Sequence, residues 1–358
     1  MLFSAWLKIN SAPHHMNKPE KDVTIYDIAK KLNISAATVS RGLQNHAGTN
    51  KDTKKRIQDA AAEMGYHSNS FASNLRSKKS NIIGVIVPRL NSVFMSQVIA
   101  GIESEVSNAN FTLIISQSLE SMKKEAGSAK AMYSNRVDGL LVSLAYDTTN
   151  IHHFENFIKR GIPVIFFDRV YENKKYPAIY IDNYKAAYEV TAHLIEQGCK
   201  KIVHLTGSQL QNVYADRFKG YKQALLDHGI EFDEQLVIIS GLSAIDGVEA
   251  AEQILKMPQR PDGVFAANDQ CAVTCMQVLK KAGLKIPEDI AFAGFNNDPL
   301  TCIIEPNLTT INYKGYEMGQ VAANLLMNLM YNNDGTHNAD NVVLSHELII
   351  RGSSLRKG

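Results

Sequence analysis

The sequence predicts a small all-α head followed by a larger two-lobed α/β body with parallel sheets. Three observations predict it. Val23 to Leu43 reads as two short helices with a tight break between them. From Asn81 onward, short continuous apolar runs alternate with amphipathic helical patterns, which is the rhythm of βαβ units and parallel sheets. The charge is also unevenly divided. Lys18–Ser80 carries 12 Lys+Arg against 6 Asp+Glu, whereas residues 81–358 carry 25 against 30. A basic front end on a mildly acidic body suits a chain whose head meets phosphates. At 358 residues and 45% hydrophobic, the chain exceeds one typical core, and two or three domains are expected.

Residues 1–22 lack this organisation and are expected to be a disordered leader, with Met16 as an alternative start. The run MLFSAWL is too short, and too poorly followed by a cleavage site, for a signal peptide. In the head (residues 23–67), Thr24 and Asp27 have the spacing of a capping box, and Ile25, Ile28, Ala29 and Leu32 recur at helical spacing. Asn33 tolerates the left-handed turn at a helix end, and Ser35 is the natural N-cap of the second helix. That helix, Ala36 to Leu43, keeps Val39 and Leu43 for packing and turns Ala36, Ala37, Ser40 and Arg41 outward. Thr53–Met64 reads as a third helix. The pattern fits a helix-turn-helix, whose second helix enters the DNA major groove; an ordinary capped hairpin is the alternative. Arg41 is the candidate base contact, to guanine. Alanines at 36 and 37 offer only apolar contact, and Thr38 and Ser40 suit phosphate contact or capping. Thr24, Ser35 and Asn45 complete the candidate DNA-binding set in the head.

TIYDIAKKLNISAATVSRGL, the later EMGYHSNSFASNLRSKKSNIIGVIVP and several motifs downstream resemble the lac-repressor-type (LacI/GalR) family of transcription regulators, in the family's order and spacing. The resemblance runs from Val23 nearly to the end. It implies that residues 68–80, which in isolation read as a linker, form a hinge helix that folds on specific DNA. Leu75 aligns with the apolar wedge that enters the minor groove, with Arg76, Lys78 and Lys79 near phosphates. Ser68 departs from the family's usual proline.

In the body (81–358), IIGVIV, FTLIIS, DGLLVS, IPVIFFD, KIVHLTG, DGVFAAND and IAFAGFN read as strands covered on both faces. They are too many for one small sheet, so two doubly wound lobes are expected, as in periplasmic sugar-binding proteins. Lobe 1 is expected over about 81–183 and 313–337, and lobe 2 over about 184–311 and 338–351, with crossings near 181–184 and 309–313. The helix Tyr316–Met330 returns to the first lobe. A ligand then binds between the lobes, outside the carboxyl ends of the strands.

Several strand ends carry polar groups. Asp168 ends FFD, Asp216-Arg217 is read as opening a helix, Asn268-Asp269 ends AAND, and Asn296-Asn297 ends GFNN. Each has a bland alternative: Asp168 caps a turn, Asp269 is the N-cap of the helix from Cys271, and Arg217 makes a surface ion pair. Together with Phe94, whose loop lines the cleft in the family, Asp168, Arg217, Asn268, Asp269 and Asn296 are the candidate effector contacts. An arginine fork suits hydroxyls or a carboxylate, and Asn and Asp suit vicinal hydroxyls, so a sugar is favoured. By resemblance, Arg217, Asn268 and Asn296 match the family's contacts, although Asn296 departs from its common aspartate.

The expected function is a ligand-responsive repressor. It would bind double-stranded operator DNA as a homodimer on an inverted repeat, in the cytoplasm, with no cofactor, metal or membrane. Two rivals remain. A periplasmic-type solute-binding protein leaves the basic head unexplained, and an α/β enzyme lacks Gly-x-Ser-x-Gly, P-loop and His-Glu-x-x-His motifs. The four cysteines read as buried free thiols, and His152-His153 as a solvent-facing helix.

Overall fold

The computed structural model describes residues 23–44, 46, 48–66, 80–171, 176–331 and 340–356. The chain divides near residue 77 into two compact units. The expectations for the leader, for the hinge with Leu75 and Arg76, and for Asn45 lie outside the described residues.

Among its described residues the small unit contains three helices: α1 (Ile25–Leu32), α2 (Ala36–Leu43) and α3 (Lys51–Glu63). The Asp27 carboxylate accepts from the Thr24 N–H at 2.9 Å and the Thr24 hydroxyl at 2.7 Å, which fixes the start of α1. Asn33 ends it in the left-handed conformation, φ 53°. Ser35 Oγ accepts from Thr38 N at 3.1 Å and starts α2. Ile28, Val39 and Ile57, one from each helix, are fully buried against one another. Each such side chain contributes about 1.5–3 kcal/mol relative to exposure. Two expectations are corrected. Asn50, not a later residue, caps α3, so that helix begins before Thr53. Ala36 and Ser40 are half-buried rather than outward, and the Ala36 methyl joins the head's core.

The large unit begins with β1 (Ile82–Val87), α4 (Val93–Asn108), β2 (Thr112–Gln117), α5 (Met122–Ser134), β3 (Gly139–Val142), α6 (Glu155–Lys159), β4 (Val164–Phe167) and β5 (Ala178–Ile181). The second lobe follows with α7 (Asn183–Glu196), β6 (Ile202–Thr206), α8 (Asn212–Asp227), β7 (Val237–Ile239), α9 (Ala244–Lys256), β8 (Gly263–Ala266), α10 (Asp269–Lys281), β9 (Ala291–Asn296) and β10 (Thr309–Asn312). The chain ends with α11 (Gly315–Tyr331), β11 (Val342–Leu344) and β12 (Glu347–Ile349). The sheets run β11-β5-β4-β3-β1-β2 and β12-β10-β9-β8-β6-β7. All pairings are parallel except β12 against β10. An apolar core continuous through both lobes joins Ile83 and Val98 in the first to Phe265 and Phe295 in the second.

All seven apolar runs are strands. The strands without a clear sequence signal, β5, β7 and β10 to β12, are three or four residues long and too short to show a period. One of them overturns a boundary. Val342–Leu344 pairs with β5 in the first sheet, so 338–351 does not belong wholly to the second lobe. The chain crosses a third time between Leu344 and Glu347. Cys199, Cys271 and Cys275 are buried as expected, but Cys302 is exposed. Among the described residues, no helix is long and apolar enough to cross a membrane.

Candidate functional site

Two surfaces bring together the chemistry-bearing residues, one on each unit. On the head, Ala37 and Arg41 are exposed one helical turn apart on α2. Arg41 Nε donates to the Ala37 carbonyl at 3.4 Å, which leads the guanidinium along the helix surface. Thr38 shares a hydrogen bond with Ser35 through its hydroxyl at 2.8 Å, so both lie at the helix start. Tyr26, 71% exposed on α1, was not singled out from the sequence. It sits off the apolar periodicity that marked the helix, and its phenol can donate to an anion.

On the large unit, a cavity of about 470 Å³ opens between the lobes at the carboxyl ends of their strands, a size that suits a small ligand. Phe94, Asp168, Arg217, Asn268 and Asn296 all line it. Phe94, at the start of α4, stacks on Tyr313 with ring centroids 4.3 Å apart. Tyr313 donates its hydroxyl to Asp168 Oδ1 at 2.9 Å. Burial pushes the Asp168 carboxyl above the usual carboxylate range, against the opposing pull of Arg169 and Arg217. Asp168 (φ 58°) and Asn296 (φ 118°) end their strands with positive φ, which Asp and Asn tolerate better than most side chains. These turns place polar groups, rather than continuing apolar strand, at the cavity wall.

Arg217 does not open a helix. α8 begins five residues earlier, and Arg217 is buried in its second turn instead of pairing on the surface. Gln211, the residue before the helix, makes no capping bond with its side chain, so the sequence carried no start signal there. The guanidinium donates from Nε to Asn183 Oδ1 at 2.9 Å and from Nη1 to the Ala267 carbonyl at 2.8 Å. It lies 3.5 Å from the Phe295 ring centroid. Its Nη2 takes no protein partner among the described residues and is left for the cavity. Asn268 Oδ1 caps α10, accepting from the N–H groups of Gln270 and Cys271 at 2.8 and 3.2 Å. With the oxygen committed, the Asn268 amide NH₂ is the group available to a ligand.

Asp269 is corrected on both counts: it is neither the cap nor a lining residue. Fully buried behind the wall, it accepts from Thr310 Oγ1 at 2.7 Å and from the Asp298 N–H at 2.8 Å. Gly294 leaves it room, since a Cβ there would meet Asp269 Oδ1 at 2.2 Å. Burial pushes the Asp269 carboxyl up to about 7 and that of its neighbour Asp298 up to about 6. Between about pH 4 and about pH 7 the folded chain therefore binds more protons than the unfolded one, and these groups lower stability as pH rises. Urea unfolding at pH 5 and pH 7 should show a smaller loss in Asp269→Asn than in the parent. An equal loss in both would mean that Asp269 titrates normally.

Sequence reading missed much of the wall. Arg169 donates to Glu120 Oε2 at 2.6 Å and Oε1 at 3.3 Å, and to the Tyr214 hydroxyl at 3.2 Å. Arg89 approaches the same glutamate at 3.5 Å. The available signals were adjacency for Arg169, next to Asp168, and helical spacing for Tyr214, three residues before Arg217. His153 also departs from the solvent-facing expectation, since it is largely buried against Glu125 at 2.8 Å.

Both units have counterparts among known proteins. Residues 24–69 match the family of bacterial regulatory proteins, lacI family, and residues 191–354 match a periplasmic binding protein-like domain. The HTH-type transcriptional repressor CytR of Escherichia coli K12 is 33% identical over 341 residues, covering 94% of this chain and 98% of the relative. A transcriptional regulator CelR–cellobiose complex aligns with TM-score 0.70 and 25% identity over 92% of this chain and 99% of the other. The lac repressor dimer bound to operator and an anti-inducer has the same fold, with TM-score 0.83 and 24% identity over 94% of this chain and 100% of the other. A lacI-family match in the head, a periplasmic binding protein-like match in the body and a relative 33% identical over nearly the whole chain place it: the chain belongs to the LacI family of bacterial regulatory proteins.

Proposed function

We propose that this chain is a transcriptional repressor that binds an operator of inverted-repeat DNA as a homodimer, with its affinity set by a small sugar-type effector in the interlobe cleft. The observation that carries this is the pairing, in one chain, of a helix-turn-helix with an exposed Arg41 and a cleft lined by Arg217, Asp168 and Phe94. The cleft offers Arg217 Nη2, which takes no protein partner among the described residues, an amide NH₂ from Asn268, carboxyls and an aromatic ring. Three arginines (Arg89, Arg169 and Arg217) line the cavity together with four carboxyls (Glu120, Asp168, Asp246 and Asp298), so the lining as a whole carries no cationic surplus for a phosphate, and vicinal hydroxyls fit the donor and acceptor set. The CelR complex with cellobiose supports a sugar, and the lac repressor dimer on its operator supports a dimeric, operator-binding assembly. Regulators among the relatives support a non-enzymatic role in the cytoplasm.

Operator and effector coupling is thermodynamic: the effector favours one lobe arrangement and DNA another. Thermal-shift screening against free sugars, sugar phosphates, sugar acids and nucleosides tests the effector class. A ligand at about 100 times its Kd adds about 2.7 kcal/mol of stability. Fluorescence anisotropy on selected operators, with and without the hit, then gives the sign of regulation. A chain that binds no DNA sequence above background refutes the proposal. Arg41→Ala should cost about 1–3 kcal/mol of operator binding and relax specificity at one base pair. Unchanged affinity and selection at every site would remove Arg41 from base recognition.

A further inference from the structure

A buried carboxylate outside the cleft organises a contact between the lobes. Glu125, on α5, is fully buried. It accepts from the Ala145 N–H at 2.6 Å, from Thr148 Oγ1 at 3.0 Å and from His153 Nε2 at 2.8 Å. These bonds fold the turn 145–148, just past β3, so that three of its carbonyls converge on one point. The side chain of Gln211, from the second lobe, occupies that point. Its Nε2 donates to Ala145 O at 2.9 Å and approaches Tyr146 O and Thr148 O at 3.4 Å. Gln211 is only 2% exposed, although it precedes a helix on the other lobe. The next residue repeats the arrangement: Asn212 Oδ1 accepts from the Val170 N–H at 3.0 Å, and its Nδ2 donates to Asp168 O at 3.3 Å. Tyr146 closes the set, accepting from Ser208 N at 2.7 Å.

We propose that Gln211 and Asn212 are positioning residues that dock the first turn of α8 onto the first lobe and so hold the cleft closed around Arg217. The same helix carries Tyr214 and Arg217, so seating its start against 145–148 and 168–170 sets where the free guanidinium nitrogen points. Two side-chain amides, each bonded to backbone of the opposite lobe, are a specific device. Packing alone needs no polar group there, and a buried amide without partners is costly. The part of this inference that concerns the effector rests on the functional reading above; the latch itself does not.

Hydrogen exchange on the full chain without any ligand separates the two. Val170 and Ser208 N–H groups are bonded across the lobes, whereas β1 and β6 amides lie inside them. Gln211→Met and Asn212→Leu keep approximate volume but remove the polar groups. Each should raise exchange at Val170 and Ser208 by about tenfold or more while β1 and β6 stay protected, the mark of local opening rather than unfolding. Asn212→Asp keeps the acceptor and should retain more protection at Val170 than Asn212→Leu. Unchanged exchange at both amides, or a uniform rise that includes β1 and β6, overturns the latch. An effector screen that finds no ligand leaves this result standing and bears only on the functional reading.

Discussion

Replacing Arg217 with alanine will abolish most effector binding and also lower stability, for two separable reasons. The free Nη2 is the only guanidinium nitrogen of Arg217 left for the cavity among the described residues, because Nε and Nη1 are bonded to Asn183 and Ala267. Hydrogen bonds to a charged group are each worth about 1.5–3 kcal/mol, so affinity should fall roughly tenfold to a hundredfold. Meanwhile Asn183 Oδ1 and the Ala267 carbonyl lose their donors in a buried site, at about 1–3 kcal/mol each. Relief from burying a charge offsets part of that cost, since burial pulls the Arg217 guanidinium below its usual range. Arg217→Lys should keep the charge yet fail to bridge both acceptors, as a compact ammonium cannot reproduce the fork. Titration calorimetry with the ligand found by thermal shift checks affinity, and urea unfolding checks stability. An alanine variant that binds its ligand as tightly as the parent would remove Arg217 from the effector site.

A methyl group at Gly220 should be nearly as damaging, although it touches no ligand. Gly220 sits where α8 crosses α7, and a Cβ there would lie 2.2 Å from the Tyr184 carbonyl oxygen and 2.9 Å from the Tyr188 nitrogen. Both are backbone atoms, so no rotamer change relieves the contact and the helices must separate. Overpacking of this kind costs about 1–3 kcal/mol, occasionally more. Separation also moves α8 from α7, and with it Arg217 from Asn183. Gly220→Ala should therefore lower the unfolding midpoint and weaken effector binding together. Gly127→Ala is the control, because a Cβ there meets nothing within 4 Å. Equal midpoints for the two variants would mean that the helix crossing is looser than its geometry implies.

The head was legible because its structure is written in local pairs. Thr24 with Asp27 and Ser35 with Thr38 are each three residues apart, and Asn33 takes its left-handed turn by residue type. The strand runs were legible because a strand buried on both faces must be apolar throughout. Asp269 misled because position after a strand looks the same whether the side chain points to the cavity or behind its wall. Gly294, Asp298 and Thr310, 25, 29 and 41 residues further on, decide which. The short strand at 342–344 misled for a similar reason, since three residues carry no period and their sheet is chosen by a partner at 179–181.

The sequence by itself determined the kind of protein: a capped helix-turn-helix ahead of repeated βαβ units, with polar residues at the strand ends. The tertiary structure decided which of those polar residues face the cleft, where the chain crosses between lobes, and which groups bind one lobe to the other. The division follows from range. Caps and periodicities act between near neighbours and are fixed by residue type. The partners of Arg217 lie 34 and 50 residues away, and the acceptors of Gln211 lie 63 to 66 residues away. Groups so far apart in the chain are brought together by the packing of the sheets and helices, so their contacts depend on the packed geometry and not on any spacing in the chain.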